Sequence, residues 1–244
     1  MSLQLDRSRY TPARVQLKSA GISLATSEIL DLNLSLAEAR DAVHAQLSTA
    51  SLLPKLEALG LHPLLLRSAA KDRIEHLRRP DLGRGLHTDS FPLLDRHAPA
   101  ANGFVIVIAD GLSAIAIERH AAPLLQALEA LLPLQDTPLV IVEPARVAIG
   151  DEIGERLHAE LLLMLIGERP GLSSPDSLGA YITWMPRVGR TDAERNCISN
   201  IRPEGLSYPQ AAEKIAWYLT NARSRRLTGV GLKEDGRSLP AFFP

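Results

Sequence analysis

Three apolar runs constrain this chain more than anything else in it: Phe104-Val105-Ile106-Val107-Ile108-Ala109, Pro138-Leu139-Val140-Ile141-Val142-Glu143 and Leu161-Leu162-Leu163-Met164-Leu165-Ile166. Each has the length of a strand and shows no polar alternation, so each must be covered on both sides. The segment between the first two carries a helical pattern through Ile115, Ile117 and residues 124–132. The segment before the third opens a helix at Gly150-Asp151-Glu152-Ile153-Gly154, with acids near the end where the helix dipole favours them. Buried strands alternating with helices imply a parallel sheet with helices on both faces. Residues 180–184 are expected to be a fourth strand and residues 228–232 a final one. Residues 209–226 read as a closing helix, with Pro209 in its first turn and Arg223, Arg225 and Arg226 at its C-terminal end.

The first hundred residues have a different character. Helices are expected from Thr26-Ser27-Glu28 onward, over residues 51–59 until Gly60, and over residues 71–78 until Pro80. Residues 99–103 read as a linker. The expected architecture is therefore α/β: a small helical N-terminal region over residues 1–100, a Rossmann-like, mostly parallel sheet domain over residues 101–232, and a tail over residues 233–244.

Composition removes several function classes. Of 244 residues 45% are hydrophobic but only 4% aromatic, so the core must be built from Leu, Ile, Val and Ala. A formal net charge of −1 provides no global field for nucleic acid or an acidic membrane. One cysteine excludes an internal disulfide framework and favours a reduced, cytoplasmic setting. Residues 1–7 carry no apolar segment of signal-peptide length, and no apolar run approaches the length that spans a bilayer. The histidines show no metal-ligand spacing, and neither a Walker-type phosphate loop nor a Gly-x-Gly-x-x-Gly turn comes after a strand.

In an open parallel sheet the loops after the strands share one edge, where ligands bind. Here that edge would gather Asp110-Gly111-Leu112-Ser113, Glu143-Pro144-Ala145-Arg146-Val147 and Gly167-Glu168-Arg169-Pro170-Gly171. Pro170 and Gly171 suit an ordinary turn. A charged Glu168-Arg169 pair directly off an apolar strand is not explained by a turn, and its carboxylate can accept hydrogen bonds from a ligand amide. Cys197 has no His near it in sequence to activate it as a nucleophile, and the alternative is a small apolar filler. The run Arg78-Arg79-Pro80-Asp81-Leu82-Gly83-Arg84 reads either as a solvated turn or as a contact for an anion or a partner.

Five segments, taken in order, resemble the small (light) subunit family of ethanolamine ammonia-lyase: residues 78–84, Ile108-Ala109-Asp110-Gly111-Leu112-Ser113, Gly150-Asp151-Glu152-Ile153-Gly154-Glu155, Gly167-Glu168-Arg169-Pro170-Gly171-Leu172 and Asn196-Cys197-Ile198-Ser199-Asn200-Ile201. The resemblance runs from about residue 11 to residue 232. It implies an adenosylcobalamin-dependent radical conversion of ethanolamine to acetaldehyde and ammonia. It also implies that a large subunit binds ethanolamine, and that this chain closes over the cobalamin at the interface and is inactive alone. The family's cobalamin contacts would fall at Val147, Glu168 and Cys197. Glu168 would accept from corrin amides, while Val147 and Cys197 would offer backbone groups or van der Waals contact. Asp95-Arg96-His97-Ala98-Pro99-Ala100 is close to the cobalamin motif Asp-x-His-x-x-Gly but lacks its Gly and precedes the sheet, so it reads as part of a linker. Some family members carry an N-terminal extension associated with bacterial microcompartments. This chain begins almost where the match begins, so the cytoplasm is the expected location and a microcompartment the alternative. Two other functions compete with this one: a stand-alone α/β enzyme binding a nucleotide or phosphorylated ligand at the same edge, and a purely structural partner subunit.

Overall fold

The computed structural model describes residues 17–97 and 102–234. Most of the expected tail and of the expected linker, the end of the near-motif after His97 and the start of the family resemblance lie outside them. A two-stranded hairpin, β1 (Ser19–Ala20) and β2 (Ser23–Leu24), leads into helix α1 (Thr26–His44) and helix α2 (Thr49–Glu57). Strand β3 (Leu64–Arg67), helix α3 (Arg73–Arg78) and the short helix α4 (Phe91–Asp95) come next. Then come β4 (Phe104–Ala109), α5 (Ala114–Glu129), β5 (Leu139–Glu143), α6 (Ile149–Arg156) and β6 (Leu161–Gly167). Strands β7 (Leu178–Trp184) and β8 (Arg195–Ile201) and helix α7 (Tyr208–Arg225) complete the order.

The main sheet has six strands in the order β3-β5-β4-β6-β7-β8. Strands β3, β5, β4 and β6 are parallel neighbours, whereas β6–β7 and β7–β8 pair antiparallel. The fold is thus α/β with a mixed sheet. Several details differ from expectation, among them the unforeseen strand β8 and the β1–β2 hairpin. The first hundred residues contribute a strand, β3, in a region read as helical. Residues 228–232 form no strand: Gly229–Gly231 is a 3-10 turn, entered through Gly229 at φ 84°.

Every residue of β4 and β6 is buried. Successive residues point to opposite faces. Phe104, Ile106 and Ile108, with Leu161, Leu163 and Leu165, pack under α2, α5 and α7. Val105, Val107 and Ala109, with Leu162, Met164 and Ile166, pack under α4 and α6. Helix α5 therefore carries the chain from β4 to β5 over one face, and α6 carries it from β5 across β4 to β6 over the other. The winding reverses at β4, so the C-terminal ends of β4 and β6 flank a topological switch point, the place where such sheets hold ligands.

Those two strand ends approach more closely than side chains allow. The Leu112 N–H donates to Gly167 O at 2.9 Å. Gly111 sits at φ 57°, and a Cβ there would lie 2.2 Å from Gly167 O; a Cβ on Gly167 would lie 2.0 Å from Ser113 O. The obstructing atoms are backbone, so relief requires separating the strand ends. Gly111→Ala should lower unfolding free energy by more than about 3 kcal/mol, from strained φ plus the clash. Gly85→Ala, whose Cβ would meet nothing nearer than Glu152 Oε2 at 3.8 Å, should cost less than about 1 kcal/mol. Urea midpoints of the two variants check this; equal midpoints would remove the close contact as a structural determinant.

Candidate functional site

The site is built from the loop residues at the C-terminal ends of the parallel strands, on the switch-point edge. Gly111 and Leu112 come directly after β4, Arg146 and Val147 after β5, and Glu168 and Arg169 after β6. With Tyr181 of β7 and Ser199 of β8 they line a hollow of about 480 Å³. A second hollow of about 600 Å³ adjoins it, sharing Arg146, Val147 and Tyr181 and extending to Arg84 and Arg190.

Glu168 is held by the antiparallel part of the sheet. Its backbone N–H donates to Ser177 O at 2.9 Å, closing the base of the β6–β7 loop. Its Oε2 accepts from the Ser177 hydroxyl and, at 3.1 Å, from the Asn200 backbone N–H. The pairing of β7 with β8 slips between Leu178 and Ala180, and Asn200 there adopts φ 59°. Such an irregularity re-aims backbone groups next to a site. Gly179 leaves the space into which the carboxylate folds, since a Cβ there would stand 3.0 Å from Glu168 Oε1. Glu168 is thus oriented through one oxygen, and no described hydrogen bond occupies the other.

Cys197 is exposed rather than a core filler. It stands opposite Tyr181 in the β7–β8 register, and its Sγ lies 3.4 Å from the Ser199 hydroxyl. Burial raises the Tyr181 pKa, followed by its hydrogen bond with Cys197 and the charge of Glu168. The phenol therefore stays protonated. Val147 and Glu168 line one hollow; Cys197 is not among its lining residues, although Ser199, two residues on in β8, is. Tyr181 gave no signal in the sequence beyond membership of the strand expected over residues 180–184, and Gly179 lay just outside it; β7 begins earlier, at Leu178.

Two buried ion pairs fix the surroundings. Asp110 accepts from Arg73 Nη1 at 2.8 Å and from the Ala145 N–H at 2.9 Å. Asp151 receives both Arg195 Nη groups at 2.6 Å. The sequence suggested a dipole role for Asp151 in α6; its partner in β8, 44 residues away, is invisible to periodicity. Among the described residues no cluster of three or more His, Cys, Asp or Glu could hold a metal ion. Also among them, no helix is long and apolar enough to cross a membrane.

A smaller hollow of about 290 Å³ lies beside this edge, lined by Arg67, Arg73, Asp110 and Glu143. Burial pushes the Glu143 carboxyl up to about 7, and the charge of Asp110 adds to the effect. Folded Glu143 thus keeps its proton through a range where the unfolded chain, near its ordinary value of 4.5, has lost it. The folded state binds more protons there, so this group's contribution to stability falls as pH rises from about 4.5 to about 7. Glu143→Gln should match the parent near pH 4 and exceed it near pH 8 by on the order of 1 kcal/mol, a figure reduced because the group reaches solvent. Chemical denaturation at both pH values tests this; a gap independent of pH would contradict it.

The family model for ethanolamine ammonia-lyase light chain (EutC) matches residues 4–233. The ethanolamine ammonia-lyase small subunit of Azotobacter vinelandii is 54% identical over 233 residues, covering 93% of this chain and 86% of that one. The small subunit of Ralstonia nicotianae is 53% identical over 232 residues, covering 93% and 86%. That of Pseudomonas fluorescens is 50% identical over 239 residues, covering 96% and 87%.

Proposed function

Because the chain belongs to the ethanolamine ammonia-lyase light-chain family, we propose that it is the cobalamin-closing subunit of that enzyme, with residues 101–232 as its cofactor-contacting part. In this assignment a large subunit binds ethanolamine and completes the active site. Bound adenosylcobalamin supplies the radical that starts conversion of ethanolamine to acetaldehyde and ammonia.

The observation that carries the assignment is the hollow at the switch point, where Val147 and Glu168 meet although they come from different loops. Its chemistry suits a corrin, a broad neutral ring rimmed with amides. Leu112, Val147 and Ile166 offer apolar wall, and Tyr181 an aromatic one. Glu168 offers a carboxylate already aimed by Ser177 and Asn200, with Oε1 able to accept from an amide N–H. Ser199 adds a small group on the rim, and Cys197, whose Sγ lies 3.4 Å from the Ser199 hydroxyl, would act by contact rather than as a nucleophile. This chain orients the cofactor and excludes water; none of its residues is assigned a proton transfer.

Helix α1 supports a missing partner. It buries only Ser35 and Ala42, while Ile29, Leu30, Leu34 and Leu36 remain exposed. A helix with this much uncovered apolar surface calls for cover by another chain.

Co-expression with a large subunit is the direct test. The chain should co-purify with it, and deamination should require both. Ethanolamine deamination by the isolated chain would refute the assignment. In the assembled enzyme, Glu168→Ala should weaken cobalamin binding by roughly three- to ten-fold, the worth of about one hydrogen bond, and leave the circular dichroism spectrum unchanged. An unaltered cofactor titration would exclude Glu168 as a contact.

A further inference from the structure

The second hollow is the more cationic: the first is lined by Arg146 and Arg169, the second by Arg146 together with Arg84 and Arg190. Arg190 is satisfied: it pairs with Glu194, and its Nε donates to Met185 O at 3.2 Å. Arg84 and Arg146 are not. Among the described residues neither guanidinium reaches a carboxylate, and Arg146 Nε is buried without a hydrogen-bond acceptor. Burial lowers the Arg146 pKa, and the charges of Arg73 and Arg84 lower it further against the pull of Asp110. Asp192 also lines the hollow, but its side chain is 92% exposed and lies 3.6 Å from Arg195.

The backbone holds these two cations together. The Arg146 N–H donates to Gly83 O at 2.8 Å, tying the loop after β5 to the turn that carries Arg84. A Cβ on Gly83 would come within 3.2 Å of Arg146 Cγ and 2.6 Å of His76 Nδ1, so the two segments are packed as tightly as a glycine permits. Two guanidinium groups kept close without a carboxylate gain most from an anion whose several oxygens can accept from both forks.

We propose that Arg84 and Arg146 form a phosphate-type anion site, and that its occupant is the phosphodiester of the cobalamin nucleotide loop. This rests on the function proposed above. It accounts for the pairing of the hollows: Arg146, Val147 and Tyr181 line both, so a ligand with a neutral ring and a single anionic arm can engage both. The Arg78 to Arg84 run then divides. Arg79 pairs with Asp81 at 2.6 Å in solvent, and of the run's arginines only Arg84 lines the hollow.

The test compares cobalamin with cobinamide, which keeps the corrin amides but lacks the nucleotide and its phosphodiester. Both are titrated by absorbance into the assembled two-subunit complex. Arg146→Ala and Arg84→Glu should each weaken cobalamin roughly ten-fold, as expected for losing a charged hydrogen bond, and change cobinamide less than two-fold. Arg146→Lys should restore part of the loss. Arg84 is exposed, so its variant keeps the test valid if Arg146→Ala folds poorly. Inorganic phosphate should weaken cobalamin binding to the parent complex but not to Arg146→Ala.

Equal loss of both corrinoids, or loss of neither, would overturn the anion site. Phosphate competing equally with cobinamide would overturn the assignment to the cofactor's own phosphodiester. Glu168→Ala should weaken both corrinoids alike, so its failure is separable from failure at the arginines. A parent complex that binds neither corrinoid would overturn the functional assignment, and this site with it.

Discussion

The Asp110 carboxylate is the point on which the ligand edge depends. One oxygen receives Arg73 and the other the Ala145 N–H. Arg73 in turn donates to Gly111 O at 2.7 Å and to Val43 O at 2.8 Å. Four segments are thereby joined: the end of α1, the start of α3, the turn after β4 and the loop after β5. Burial pushes Asp110 up to about 6 despite Arg73, so the pair is ionised at neutral pH against a real desolvation cost. A buried pair of this kind is weak grounds for extra stability. Its value here is positional, because losing either partner leaves a buried charge and frees the loop that carries Arg146 and Val147.

The antiparallel half of the sheet has a complementary role. Asp151 and Arg195 bind α6 to β8, and Arg195 also donates to Arg190 O at 3.0 Å and to Thr183 Oγ1 at 3.2 Å. This fixes the far wall, with Tyr181, Ser199 and the Arg190 turn, against the loops of the parallel half. Loops of the parallel strands supply the residues of the site. Strands β7 and β8 supply the surface that faces them and the groups that aim Glu168.

Legibility in the sequence depended on where burial is uniform. Strands β4, β5 and β6 stand out because neither face meets water. Strand β3 does not, because it has four residues and the edge burial of a strand covered on one face only. Strand β8 is hidden because Arg195 and Asn196 point inward, satisfied by Asp151 and by the carbonyls of Gly229 and Leu232. No periodicity can show that an inward charge has found a distant partner. Those same carbonyls explain why residues 228–232 turn rather than extend: they serve Asn196 instead of a neighbouring strand. Within the site, Glu168 was legible as a charge directly off an apolar strand. The loop that ends at Val147 was legible as part of the same edge, but the assignment of Val147 and Cys197 as contacts came from family resemblance, and the uses of Gly179 and Tyr181 required coordinates.

The site's polar groups are prepared in advance but stand at an open edge. In water, a hydrogen bond from a ligand amide to Glu168 Oε1 replaces one from solvent and contributes little net free energy. Once a second surface covers the edge, an unmatched acceptor or guanidinium loses its water and the cost of mispairing rises. Ser177, Asn200 and Gly179 hold Glu168 in place before that happens, so little reorganisation remains. Specificity for a ligand would then appear on assembly rather than in the isolated chain. On the proposed function, this would be a physical reason for dividing the site between two subunits: one chain would fix the groups, and closure by the other would make their placement count.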